Sequence, residues 1–153
     1  MDKFLVLTLT FALIFGSNNA LEFKDCGSEL GKFSKVVVSN CDEASSVCVL
    51  KRHTNATIDL DFNLVDDSKI ENVSTVVHGV ILGVEMPFPL ANPNACVDSG
   101  IECPLEKGKN YNYQQTLPVL KSYPKVSVTV KWELKDVTSA KTIICVLIPA
   151  RIE

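Results

Sequence analysis

Little in this sequence supports catalysis or a membrane span. No Gly-x-Ser-x-Gly is present, so the strained turn that would present a serine nucleophile has no candidate. Histidine occurs only at His53 and His78, far apart in the chain. No cysteine pair has the two-to-four-residue spacing of a zinc site, and no other ligand cluster accompanies the two histidines. The cysteine count is even, which leaves no spare thiol as a nucleophile. Asp66-Asp67 lacks the further oxygen ligands of a calcium loop and reads as a polar turn. A net charge of −3 gives no footprint for nucleic acid. Beyond the first residues, no apolar run has the length of a membrane span. The expectation is a protein that is not an enzyme and carries no metal or cofactor.

The one long apolar run is Phe4 to Phe15, behind Asp2 and Lys3 and ahead of GSNNA. It is too short to span a bilayer and has the layout of a secretory signal peptide, with cleavage placed after Ala20. Residues 1–20 are thus assigned to the signal and 21–153 to a single exported domain. All six cysteines, Cys26, Cys41, Cys48, Cys96, Cys103 and Cys145, follow the signal, as expected of three disulfides in an oxidising compartment. Fifteen pairings are open in principle. Spacing favours Cys41 with Cys48 and Cys96 with Cys103 as local loops, which leaves Cys26 and Cys145 to join the ends of the domain. Two sequons, at Asn55 and Asn72, mark candidate glycan sites on the surface.

The dominant hydrophobic period is two. Ile58, Leu60, Phe62 and Leu64 alternate with polar residues, as do Val126, Val128, Val130, Trp132 and Leu134. Tyr111, Tyr113, Gln115, Leu117 and Val119 form a third such run. Thr142 to Ile148 is apolar on both faces and reads as a covered strand. Val36 to Val38 and Val73 to Val84 are rich in β-branched residues and add strands. Turn-forming clusters separate these runs, and no helical period lasts beyond two turns. The fold class is all-β: an immunoglobulin-like sandwich of two antiparallel sheets, with a closed barrel as the alternative. His53, beside Lys51 and Arg52, reads as a solvated turn residue; His78 reads as a strand histidine bonded to backbone.

The segment GVEMPFPLANPNAC (83–96) departs from this regularity. Pro87 and Pro89 flank Phe88 and remove the donors that a central strand needs, so Phe88 belongs at a sheet edge or rim. LPVLKSYP (117–124) is a second such place, where Val119, Tyr123 and Pro124 end one strand and lead into the next. A tyrosine, apolar in its ring and polar at its tip, suits the mouth of a dry interior.

Several ordered blocks resemble the Niemann-Pick type C2 branch of the MD-2-related lipid-recognition (ML) family. They are FKDCGS (23–28), VVHG with GVEMPFP (76–88), CVDSGIECPLEKGKNY (96–111), LPVLKSYP (117–124), VKWEL (130–134) and CVLIPA (145–150). The resemblance covers nearly the whole exported domain and all six cysteines, and implies the pairs Cys26–Cys145, Cys41–Cys48 and Cys96–Cys103. It implies a sandwich whose sheets splay around an apolar cavity that carries cholesterol, related sterols or other small lipids. It implies a lipid-binding role for Phe88, Val119, Tyr123 and Pro124 at the tunnel and its mouth. Met86 stands where the family tends to have a smaller apolar residue and joins that set. Trp132 matches the family's strand tryptophan. The family's usual glycan position falls on Asp59, with the Asn55 sequon nearby.

The expected function is therefore a monomeric sterol and lipid carrier, secreted or resident in the endosomal or lysosomal lumen. It would transfer its cargo between membranes or to a membrane sterol transporter. Lys51, Arg52, Lys121 and Lys125 are candidates for transient contact with an anionic membrane. The alternatives are recognition of bacterial lipid by innate immunity, which would want a denser basic rim, and extracellular carriage of fatty acids or semiochemicals.

Overall fold

The computed structural model describes residues 20–153; the signal assigned to residues 1–20 lies, apart from Ala20, outside the described residues. Nine strands run in order along the chain: β1 (Lys24–Asp25), β2 (Gly31–Val38), β3 (Cys48–Leu50), β4 (Thr54–Leu64), β5 (Val73–Ile81), β6 (Val84–Phe88), β7 (Asn110–Val119), β8 (Ser127–Asp136) and β9 (Thr142–Ile152). No helix occurs among the described residues. The three alternating runs become β4, β8 and β7, and their apolar positions face inward.

The strands form two layers. The larger sheet has the order β1-β9-β8-β5-β6, with β3 also paired to β9; the smaller has the order β2-β4-β7. All pairings are antiparallel except β3 with β9. The double-sided apolar run of β9 follows from its place: Ile143, Ile144, Cys145 and Val146 are all buried, because β9 is central in its sheet and covered on both faces. Disulfides join Cys26 to Cys145, Cys41 to Cys48 and Cys96 to Cys103.

The β-branched segment from Val73 to Val84 is two strands rather than one. Leu82 and Gly83 both take positive φ, at 50° and 80°, and form the two-residue turn that matches the twist of a hairpin. The sequence hides this turn, because leucine rarely accepts left-handed backbone. The hairpin sets β6 at the sheet edge, pairing only with β5, where Pro87 and Pro89 interrupt no ladder.

Packing differs between the two ends of the sandwich. At one end Leu60, Phe62, Leu64, Tyr113, Leu134 and Ile144 meet in a solid core, each at most 2% exposed. Along the same inward faces, large residues then give way to small ones. Ala56 follows from Ile58 on β4, Gly79 from Val77 on β5, and Val130 and Val128 from Trp132 on β8. Smaller side chains leave the layers unfilled there.

Candidate functional site

The unfilled end holds a cavity of about 80 Å³. Its walls come from both sheets: Val38, Ala56, Ile58, Leu117 and Val119 from the smaller, Val77, Val128, Val130, Trp132 and Ile148 from the larger. Phe88 on β6 and Tyr123 on the β7–β8 loop close its mouth, their ring centroids 5.1 Å apart and their planes at 57°. Both rings are half-buried. Burial pushes the Tyr123 phenol above its ordinary value, as expected of a group leaning over an apolar opening.

The structure thus brings Phe88, Val119 and Tyr123 together at one cavity. Two other residues read as site candidates stand apart. Met86 lies on the same face of β6 as Phe88 but one step further out, 48% exposed and off the cavity wall. Pro124 is exposed and follows Tyr123 without touching the cavity. Asn55 and Asn72, the sequon residues, are exposed.

Polar groups fix the walls from outside the cavity. The Thr75 hydroxyl and the Tyr113 phenol lie 2.8 Å apart, and the phenol donates to Gln115 Oε1. Gln115 Nε2 donates in turn to Asn92 O at 2.8 Å, and Thr75 N–H donates to Pro93 O at 2.7 Å. The chain of bonds pins the loop after Phe88 to β5 and β7. Burial pushes the Tyr113 phenol up to about 12, so it stays a neutral donor. Trp132 stands edge-on to Tyr113, with its buried indole N–H unpaired.

Arg52 is a site residue that sequence reasoning placed in a different role. Its guanidinium donates to Lys121 O at 3.0 Å and Tyr123 O at 3.5 Å. The side chain read as a membrane contact is therefore bound to the backbone of the loop that carries Tyr123. Nothing in the one-dimensional pattern marks this, since the partners lie 69 and 71 residues away. Lys51, Lys121 and Lys125 are exposed. His53 is exposed in the β3–β4 turn, at φ 67°.

His78 is not bonded to backbone through Nδ1, which has no hydrogen-bond partner. It faces Glu133 Oε2 at 3.9 Å on the outer face of the larger sheet. Glu133 is only 6% exposed and is flanked by Lys135 at 3.6 Å and Lys131 at 3.9 Å, so its charge is compensated. Glu133 and its two lysines form an ion-pair ladder on the outer face of the sheet, and His78 lies between the cavity-lining Val77 and Gly79. Among the described residues no cluster of His, Cys, Asp or Glu could hold a metal ion, and no helix is long and apolar enough to cross a membrane.

A profile of the ML domain matches residues 20–152. The "NPC intracellular cholesterol transporter 2 homolog a" of Drosophila melanogaster is 54% identical over the full length of both chains. The "NPC intracellular cholesterol transporter 2" of Bos taurus is 37% identical, covering 96% of this chain and 97% of its own. Among solved structures, the crystal structure of a Niemann-Pick type C2 protein from Japanese carpenter ant superimposes with a TM-score of 0.81 at 36% identity, covering 87% of this chain and 100% of that one. An apolar cavity between two sheets, three disulfides and these full-length matches agree: the chain belongs to the ML-domain family.

Proposed function

We propose that this protein carries a sterol, or a lipid of similar girth, in the cavity between its sheets, and releases it at membranes or to a membrane transporter. The observation that carries the reading is the almost wholly apolar wall behind the Phe88–Tyr123 pair. Relatives named as cholesterol transporters at 54% and 37% identity support the same cargo. Residues 1–20 act as the export signal, and residues 21–153 work as a monomer outside the cell or in an endosomal or lysosomal lumen. The sequons at Asn55 and Asn72 are exposed and would carry glycans on the surface.

Energetics suit the task. Burying roughly 400–600 Å² of sterol surface at about 25 cal/mol per Å² gives about 10–15 kcal/mol gross. Ordering costs bring that toward roughly 8 kcal/mol, or micromolar and tighter binding. The closed cavity, at about 80 Å³, is smaller than the roughly 300–1,000 Å³ of occupied ligand sites. Uptake therefore requires the mouth and the small side chains behind it to part. The layers meet there through side chains, so the sheet ladders stay intact.

The closed size also favours a second cargo, a fatty acyl chain, which is narrower and needs less widening. Titrating a fluorescent sterol into delipidated protein tests the first reading. Saturation at one sterol per chain, resisted by oleate at equal concentration, supports it. Absence of saturation, or displacement by stoichiometric oleate, overturns it in favour of the second.

Docking is assigned to the rim. Leu82 is fully exposed at the hairpin tip, with Val84 and Met86 behind it on the β6 edge, and Lys121 and Lys125 lie on the loop across the mouth. Apolar residues beside lysines suit an anionic bilayer. Reversing both lysine charges should slow vesicle-to-vesicle transfer without changing affinity in solution; unchanged transfer would defeat the assignment.

A further inference from the structure

The cavity crosses the sandwich from one edge to the other. In the larger sheet its wall takes Phe88 from β6, Val77 from β5, Val130 from β8, Ile148 from β9 and Leu50 from β3, one strand after the next. In the smaller sheet it takes Leu117 from β7, Ala56 from β4 and Val38 from β2. Every strand between the Phe88 edge and the Leu50 edge contributes. At about 4.8 Å between neighbouring strands, the four steps from β6 to β3 span about 19 Å. A volume of about 80 Å³ spread over that distance is a thin passage rather than a round pocket.

Each end of the passage adjoins a groove on the surface. At the mouth, Phe88, Leu117, Pro118 and Tyr123 line both the cavity and an outer groove of about 480 Å³. At the opposite edge, Leu50 and Ala56 line both the cavity and a second groove of about 250 Å³. Leu50 and Ala56 are half-buried, so a single layer of side chains separates the cavity from solvent there.

Strand lengths explain why this second wall is thin. β2 stops at Val38, paired with Ile58, whereas β4 begins four residues earlier, at Thr54. Over Thr54–Ala56 the smaller sheet consists of β4 and β7 alone, and β4 is its edge. The strand facing it, β3, is three residues long and pairs only with β9. After Val38 the chain turns at Ser39 and Asn40, with Asn40 at φ 62°, and leaves the sheet for the Cys41–Cys48 loop. Ser39 holds the corner: its N–H donates to Thr57 O, and its Oγ accepts from Thr57 N–H, both at 2.8 Å. Ala56 thus stands between two strand edges with only a methyl group to fill the gap. In the groove beyond, Val49 and the stem of Lys51 extend the apolar surface outward.

We propose that the Leu50–Ala56 wall is a second end of the binding passage, through which an unbranched hydrocarbon longer than the interior emerges into the groove beyond. The proposal rests on the carrier reading and adds a ligand class to it, long linear chains. Such a chain asks the layers to part by only the width of a methylene. Parting Leu50 from Ala56 breaks no ladder, because β3 and β4 belong to different sheets. In a passage closed at one end, methylenes beyond its length meet no apolar surface. In one that opens at both ends, they keep gaining contact at Leu50, Ala56 and Val49.

The test uses dodecanol, hexadecanol and eicosanol, which are uncharged and differ only in length. Each competes against a fluorescent sterol on the delipidated full chain. Hexadecanol should outbind dodecanol, and eicosanol should outbind hexadecanol by at least about tenfold. Val49 lines the groove but not the cavity. Val49→Glu sets a charge where the hydrocarbon emerges; it should weaken eicosanol about tenfold and leave dodecanol unchanged. Eicosanol no tighter than hexadecanol, or a variant in which eicosanol loses no more than dodecanol, would overturn the second end. If the variant does not fold, photolabelling of the unaltered protein decides. Two eicosanols, with a diazirine at one end or at the other, should between them label both the Phe88 edge and Val49–Ala56. Labels that never reach Val49–Ala56 would overturn the proposal. Sterol binding that no alcohol disturbs would overturn the passage and leave the sterol carrier standing. Labelling at both edges without sterol binding would keep the passage and remove the sterol, and binding of neither would overturn both.

Discussion

Phe88 and Tyr123 meet across the gap between the two sheets, one ring carried by the edge strand β6 and the other by the β7–β8 loop, with centroids 5.1 Å apart. Neither ring is locked into the solid core; both are half-buried, and together they separate an apolar interior from an outer groove of mixed polar and apolar lining. A closure built from an edge strand and a loop can open by rotating side chains and shifting that loop, with the sheet ladders kept. Phe88→Ala should therefore leave the melting temperature within a few degrees of the parent and weaken sterol binding about tenfold, roughly 1.4 kcal/mol. Paired fluorescence titration and thermal melts check it. Unfolding of the variant with normal binding by its residual folded fraction would mean that Phe88 is a core lid and nothing more.

The two ends of the sandwich should respond oppositely to substitution. Val130→Phe extends a side chain into the cavity and should block cargo, cutting sterol affinity at least about tenfold with little loss of stability. Leu60→Ala, at the filled end, should cost about 2–5 kcal/mol of stability while the folded fraction still binds. Denaturant titrations and binding isotherms on both variants read the contrast. Equal binding losses in both would show that no functional division exists along the strands.

Arg52 ties the Tyr123 loop to the β3–β4 turn through two carbonyls. Arg52→Ala should speed sterol uptake and release together by about three- to tenfold, the effect of losing roughly 1 kcal/mol of charged hydrogen bonding. Affinity should change less than either rate, and Arg52→Lys should restore part of the slowing. Stopped-flow exchange measures all of this. Unchanged rates in the alanine variant would remove Arg52 from the account of the mouth.

Most of the layering was legible in the sequence, because a period of two survives in β4, β7 and β8 and each side chain's face follows from its parity. The edge position of Phe88 was legible for a stronger reason: proline removes a donor wherever it falls. Three features were not. The β5–β6 turn rests on a leucine in left-handed backbone, which no turn rule predicts. The parallel pairing of the three-residue β3 with β9 is set by long-range contact, with no local pattern to reveal it. The cavity itself leaves only a faint signal, Ala56 and Gly79 at inward positions, and small residues inside a sheet are equally consistent with close packing. Arg52 belongs with these, since a surface cation and a backbone clamp look alike in one dimension.

Of the carboxylates held below their ordinary values, Asp136 and Asp25 are the ones partly buried and bonded to backbone N–H groups. Burial pushes Asp136 up, but the Ser139 hydroxyl and the backbone N–H groups of Thr138 and Ser139 outweigh it and hold the carboxyl below its ordinary 3.8. At Asp25 burial is likewise outweighed, by Ser28 and by the N–H of Gly27. A carboxyl lowered in the folded state stabilises fully above the unfolded-state value and loses that contribution as pH falls through the lowered one. Melting temperature should thus stay nearly flat from pH 7 to about 5 and fall only below the ordinary carboxylate range. Asp136→Ala should cost about 1–2 kcal/mol at pH 7 and reduce the acid slope. A steep fall between pH 7 and 5 in the unaltered protein would contradict this assignment.

The account depends on two β-layers that part, at their small-residue end, around one greasy guest. Native mass spectrometry of the protein purified from its own source, without added lipid, addresses that most directly. The account predicts a population heavier by the mass of a single sterol or sterol-sized lipid, lost on organic extraction and absent from Val130→Phe. A preparation that carries no lipid and takes none from sterol-loaded vesicles would contradict it.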